Sequence, residues 1–206
     1  MASLLVMLLG ACTSPSNPTS YTLTGLLPDE SADGKTIYIT RQDDRKYVDT
    51  AVVQGDKFMF EGVAGQPAYC RITVKSGLTA NVILENGEIL LDFTKSKYPS
   101  GTPNNDELAR INRMDDGTMK EFVRGMREAF KANKPVNEYK KEYEQRMKEQ
   151  AKALFKEHHD DVIGYYLLYS SYMSVLDEEE KKVIIANLGP SLQQTSYVQY
   201  LLKRLN

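Results

Sequence analysis

The chain has 206 residues, of which 41% are apolar and 26% charged, with a formal charge of −2. That composition belongs to a globular chain long enough to bury one large or two small cores, and it excludes a disordered or collagen-like sequence. The near-neutral balance, with no basic stripe evident along the sequence, gives no electrostatic reason to expect a nucleic-acid partner.

Leu4 to Leu9 is an unbroken apolar run that ends in Gly10-Ala11-Cys12 and breaks into the polar stretch Thr13 to Ser20. The run is far shorter than the roughly 20 residues that span a bilayer core. It suits the apolar region of a secretory signal, although no Lys or Arg precedes it. Leu9-Gly10-Ala11-Cys12 resembles the lipobox of bacterial lipoproteins. The resemblance implies removal of residues 1–11 and acylation of Cys12 on its sulfur and then its amine. One acyl chain holds a protein only marginally, whereas two or three anchor it lastingly. Residues 12–20 then form a tether with no apolar face to bury. Thr13 stands where an acidic export signal would stand, so the expected address is the cell envelope, in the outer membrane facing the periplasm. With Cys12 lipidated, Cys70 has no partner for an internal disulfide.

Residues 21–96 read as a β domain. Period-two alternation is punctuated by turn residues every 8 to 12 positions. Ile37 and Ile39 share a face, as do Val48, Thr50 and Val52, with Asp49 opposite. Phe58 and Phe60 oppose Lys57, Met59 and Glu61. Cys70, Ile72 and Val74 oppose Tyr69, Arg71 and Thr73. The last two strands are separated by Asn86-Gly87, a pair that favours a tight hairpin because both tolerate positive φ. Seven short strands without intervening helices predict an antiparallel sandwich or barrel.

Residues 97–105 read as a link rich in Pro, Gly and Asn, and the period changes beyond it. Leu108 and Ile111 open a helical stripe that Met119, Phe122, Val123, Met126 and Phe130 continue, with Gly117 positioned to kink or divide it. Pro135 starts a second helix carrying Tyr139, Tyr143, Met147, Ala151 and Leu154. Asp160 or Asp161 caps a third that is apolar nearly all round and therefore buried. Val162 to Leu176 is apolar but too short to span a membrane, and Gly164, Ser170, Ser171 and Ser174 interrupt it. Asp177, followed by three glutamates, caps a fourth helix that ends at Gly189-Pro190, and Thr195 or Ser196 opens a fifth. Strands followed by about five helices over residues 106–206 predict an α+β fold by segregation.

The lipobox cysteine, DGKTIYI (33–39), YVDTAVV (47–53), GDKFMFEG (55–62), VILENGEILLDF (82–93) and SGTPNN (100–105) together resemble a known family. It is the domain-of-unknown-function family number 4369, found at the N-terminus of many Gram-negative lipoproteins ahead of a thioredoxin-like domain. DVIGYYLL (161–168) is similar to the linker helices that lead into that domain. The resemblance places thiol–disulfide chemistry in a Cys-x-x-Cys motif of the thioredoxin-like part. This sequence reaches Asn206 without such a motif, so the resemblance carries over no catalytic residue, only the lipidation of Cys12.

Three other groups invite chemistry. Cys70 alternates with Ile72 and Val74 and reads as a packed core thiol. In His158-His159-Asp160-Asp161, adjacent helical residues point about 100° apart, so the two histidines cannot face one ion. His158 with Asp161 is the remaining metal-ligand pair, while a helix C-terminus followed by an acidic cap explains all four residues without metal. Tyr165, Tyr166, Tyr169 and Tyr172 could stack against a carbohydrate or peptide, but tyrosines at helical spacing more often pack with their hydroxyls at a polar edge. No phosphate loop, dinucleotide fingerprint or nucleophile elbow is present. The expected protein is a non-catalytic, lipid-anchored envelope module that needs no cofactor or metal and binds or positions a partner, for instance a separate thioredoxin-like protein. The alternative is the N-terminal part of a thiol–disulfide oxidoreductase lipoprotein whose catalytic domain is missing. Intact mass spectrometry of protein extracted from native membranes is expected to show loss of Met1 to Ala11 and acyl mass on Cys12; an unprocessed N-terminus would overturn the address.

Overall fold

The computed structural model describes residues 18–74 and 77–205, so the apolar run, Cys12 and most of the tether lie outside the described residues. Seven strands form in the order expected: β1 (Tyr21–Leu26), β2 (Thr36–Arg41), β3 (Tyr47–Val52), β4 (Lys57–Gly62), β5 (Ala68–Thr73), β6 (Thr79–Leu84) and β7 (Gly87–Asp92). They divide into a three-stranded sheet, β4-β1-β7, and a four-stranded sheet, β3-β2-β5-β6. The sheets face each other across Leu23, Phe58, Phe60, Ile89 and Leu91 on one side and Ile37, Ile39, Cys70, Ile72 and Val82 on the other, all buried. Alternation along each strand delivers these side chains to the interior, where burial of each large one contributes about 1.5–3 kcal/mol.

Two expectations for the sheets are corrected. The sandwich is not wholly antiparallel, because β7 runs parallel to β1, with Leu23 opposite Ile89. Asn86-Gly87 is therefore no hairpin, since β6 and β7 belong to different sheets. The type I′ hairpin turn that Asn-Gly favours needs positive φ at both positions. Here Gly87 lies at φ 134°, while Asn86 is not among the positive-φ residues. The Asn86 side chain instead accepts the Ala64 N–H at 2.8 Å, tying the crossing to the β4–β5 loop. In β3 the shared face of Val48, Thr50 and Val52 points outward, and Asp49 points inward to accept the Tyr21 hydroxyl at 2.9 Å.

Six helices follow: α1 (Pro103–Lys131), α2 (Asn137–Glu157), α3 (Val162–Tyr169), α4 (Glu178–Ala186), α5 (Pro190–Gln193) and α6 (Ser196–Leu205), with a 3-10 turn at Ser171–Met173. The fold is α+β, arranged as three layers: sheet, sheet, helices. The outer face of the middle sheet is covered in part, where Tyr69 and Ile83 project into a second core built on Leu108, Ile111, Ile163, Leu167, Leu168 and Tyr172.

α1 starts within the expected link, with Thr102 as N-cap and Pro103 in the first turn, where its missing N–H costs nothing. It runs unbroken through Gly117. The link stitches both sheets. Ser100 exchanges backbone hydrogen bonds with Leu90 on the β7 edge, each 2.9 Å long. Asn105, wholly buried, does the same for β6: its Oδ1 accepts the Ile83 N–H at 2.9 Å and its Nδ2 donates to the Ile83 carbonyl at 2.7 Å. Asn104 donates its backbone and side-chain N–H groups to Glu85. Between these stitches Gly101, at φ 101°, lies so close to β7 that a Cβ would come within 2.3 Å of the Glu88 carbonyl oxygen.

The apolar stripe of α1 is buried only in its first half. Beyond Thr118, Met119, Val123 and Phe130 are exposed, Phe130 by 83%. There α1 and α2 form a two-helix arm in which Phe122 stacks on Tyr143 at 4.6 Å and Gly125 makes room for the Tyr139 ring. Among the described residues, no other element covers the stripe's open side.

Asn105→Ala is expected to lower stability by about 2–5 kcal/mol, because it leaves the buried N–H and C=O of Ile83 without partners. Denaturant unfolding checks this; a loss below about 1 kcal/mol would mean that water replaces the side chain.

Candidate functional site

A cleft of about 1020 Å³ runs along the seam between the sandwich and the helices. One wall is the outward face of the four-stranded sheet, with Val48 from β3 and Tyr69 from β5, continued by the β4–β5 loop from Val63 to Pro67. The other wall is the first turn of α3, Val162 and Tyr165, with Leu192, Thr195 and Ser196 around the α5–α6 junction. Val63 is 75% exposed in the loop, and Val48 is also exposed. The cleft therefore presents apolar surface to solvent along a polar rim, the usual make-up of a binding groove.

The rim charges are held in place. At one end Arg41 pairs with Asp43 at 3.0 Å and Asp44 at 2.8 Å, and Lys46 adds a contact to Asp44 at 3.2 Å. The Arg41 hydrogen bond and then the Lys46 backbone N–H hold the Asp44 carboxyl well below the usual carboxylate range. At the other end Asp160 accepts the backbone N–H groups of Ser191 (2.9 Å) and Leu192 (3.4 Å). Gly189 permits this, since a Cβ there would lie 2.1 Å from the Asp160 carboxyl carbon. Asp161 caps α3, accepting the Gly164 N–H at 2.8 Å. Of the two caps considered for α3, Asp161 serves it, while Asp160 serves α5.

His158 sits behind this end of the cleft, buried between two carboxylates. Its Nδ1 meets Asp161 Oδ2 at 2.8 Å and its Nε2 meets Glu107 Oε1 at 3.0 Å. Burial works against its protonation, but the hydrogen bonds and charges of Asp161 and Glu107 outweigh it and raise the imidazole above its ordinary value. Arg110, first among the causes, holds Glu107 below its own ordinary value. Ligand atoms of Glu107, Glu157 and His158 lie within 4.8 Å of one another. Arg110 and a protonated His158 neutralise the carboxylates, so the donor set fits an ion-pair network joining α1 to the α2–α3 turn better than a cation site. His159 is exposed and contributes its backbone carbonyl, which accepts the Gly189 N–H at 2.8 Å.

The remaining sequence candidates are structural. Cys70 is fully buried, and burial pushes its thiol up to about 12, which keeps it protonated and unreactive. Tyr165, Tyr166 and Tyr172 are buried. Tyr166 meets Tyr69 edge-on at 5.4 Å, and the Tyr165 hydroxyl donates to Tyr169 at 2.9 Å. Tyr172 donates to Asp115, whose carboxyl burial raises. From Tyr169 a stack continues through Tyr197, 4.5 Å away, to Tyr200 at the surface. Sequence reasoning missed the cleft itself: Val63, Pro67 and Leu192 become neighbours only when the helices close on the sheet.

A mixed-sheet sandwich whose outer face is capped by helices is the class that the fold defines. Residues 21–108 match the family model described as Domain of unknown function (DUF4369). The match runs from the first residue of β1 to the first core residue of α1 and so includes the link that stitches the sheets. No curated protein matches the sequence. An NMR structure of a protein from Eubacterium rectale is similar at 18% identity over 37% of this chain and 78% of that one, with a TM-score of 0.23.

The raised imidazole of His158 gives stability that is fully present below its ordinary value of 6.5 and is lost as pH rises through the higher folded value. The melting-temperature deficit of His158→Gln against the parent is therefore expected to be largest near pH 6 and to shrink at alkaline pH. A deficit that grows with pH would contradict the protonated network.

Proposed function

We propose that the protein is a non-catalytic, lipid-anchored module of the cell envelope that holds a partner polypeptide in the cleft between sandwich and helices. The cleft itself carries the reading: Val48, Val63 and Leu192 offer apolar contact, while fixed charges at each end set the orientation of whatever lies between them. The groups best suited to chemistry are already committed to the fold. Cys70 is packed and protonated, His158 is bonded at both ring nitrogens, and Asp160 and Asp161 serve helix N-termini. The lipid anchor rests on Cys12 and its resemblance to a lipobox. The resemblance to thioredoxin-linked lipoproteins makes a thioredoxin-like domain the first partner to seek.

A photo-crosslinking amino acid placed at Val63 in the native host is expected to give one dominant adduct, with a thioredoxin-like protein. The same probe at the exposed Val183 of α4 should not give it, and Val48→Lys should lower the yield at least about fivefold. Equal labelling from both positions, or no adduct from Val63, would refute the cleft as a docking site.

A further inference from the structure

The open side of the α1–α2 arm carries two parallel rows. Met119, Val123, Met126 and Phe130 recur at spacings of four, three and four, and Lys120, Arg124, Arg127 and Lys131 repeat the same spacing one residue further on. At 1.5 Å per residue the rows run roughly 17 Å along the helix. All four cations are exposed, as are Met119, Val123 and Phe130. Glu121 is drawn away to Arg146 of α2, which leaves Glu128 as the acidic residue adjoining the row. Between Met119 and Lys141 there are seven Lys and Arg against three Glu, in a chain whose overall charge is −2. The helix thus has a basic stripe that the even overall balance conceals, which corrects the expectation of none.

We propose that this face of the arm lies on an anionic lipid bilayer. The apolar row is bordered by α2 on one flank and by an unbroken row of cations on the other, so its complement is apolar beneath and negative alongside. The boundary between acyl chains and anionic headgroups presents that combination. The convex side of a helix suits such a deformable surface, into which Phe130 inserts while Arg127 and Lys131 lay their stems along it and keep their charges among the headgroups. The contact does not depend on acylation of Cys12; an acyl anchor strengthens it by raising the effective concentration.

The test is sedimentation of the full chain carrying Cys12→Ser, which cannot be acylated, with vesicles of phosphatidylethanolamine and phosphatidylglycerol or of phosphatidylcholine alone. Binding is expected to the anionic vesicles only, and to weaken as salt is added. Arg127→Ala with Lys131→Ala should reduce it about 30-fold, and Phe130→Ser about tenfold. All three positions are exposed, so unchanged circular dichroism is expected and isolates the arm from residues 1–11, which every variant retains. Equal binding to both vesicle types, undiminished binding of the variants, or no binding at all overturns the proposal. A crosslink from position 130 to an envelope protein in place of vesicle binding would assign the face to a protein and also overturn it.

Discussion

A strand at the edge of a sheet presents unpaired backbone groups, and in a buried position each one left unsatisfied is costly. β6 has such an edge, because its inner face meets the sandwich core and its outer face meets the helices. The buried amide of Asn105 closes that edge by acting as one residue of a strand that is not there. The rest of the architecture follows. α1 must begin beside β6, the helical layer must cover Tyr69 and Ile83, and β7 is free to join β1 in the other sheet. Ser100, five residues earlier, makes the corresponding pair with β7, so one short segment closes an edge of each sheet.

The second consequence concerns where the helices leave the sheet uncovered. They bury its outer face at β5 and β6 but leave the outward valines of β3 exposed, and the step between covered and uncovered halves is the cleft. The same layer is locked from below by His158, whose two carboxylate partners belong to α1 and to the cap of α3. That link runs through the wall of the cleft, so protonation of one imidazole bears on how firmly the groove is held.

The polar network is spent on structure, and the reactive residue types singled out in the sequence are part of it. Burial raises the Cys70 thiol, Asp115 receives the Tyr172 hydroxyl, and the aspartates of the α2–α3 turn face backbone N–H groups. Among the described residues, that network leaves open a groove of mixed polarity and an arm with an apolar row beside a basic one.

The sequence by itself determined the class of each segment, because alternation at period two and period 3.6 follows from backbone geometry and needs no knowledge of neighbours. Hence the seven strands, the shared faces of Phe58 with Phe60 and of Cys70 with Ile72, a cap at Asp160 or Asp161 and the cap at Asp177 were legible from residues alone. Partnership was not legible. Asn86-Gly87 has hairpin chemistry, yet the strands beside it sit in different sheets, since strand pairing is set by the edge that Asn105 closes and not by the turn. The α1 stripe has core periodicity throughout, yet only its first half meets a sheet; α2 packs along a neighbouring face and leaves Phe130 bare. Tertiary structure decided these matters because burial depends on what arrives opposite a residue, and the groups that arrive here come from other elements of the chain.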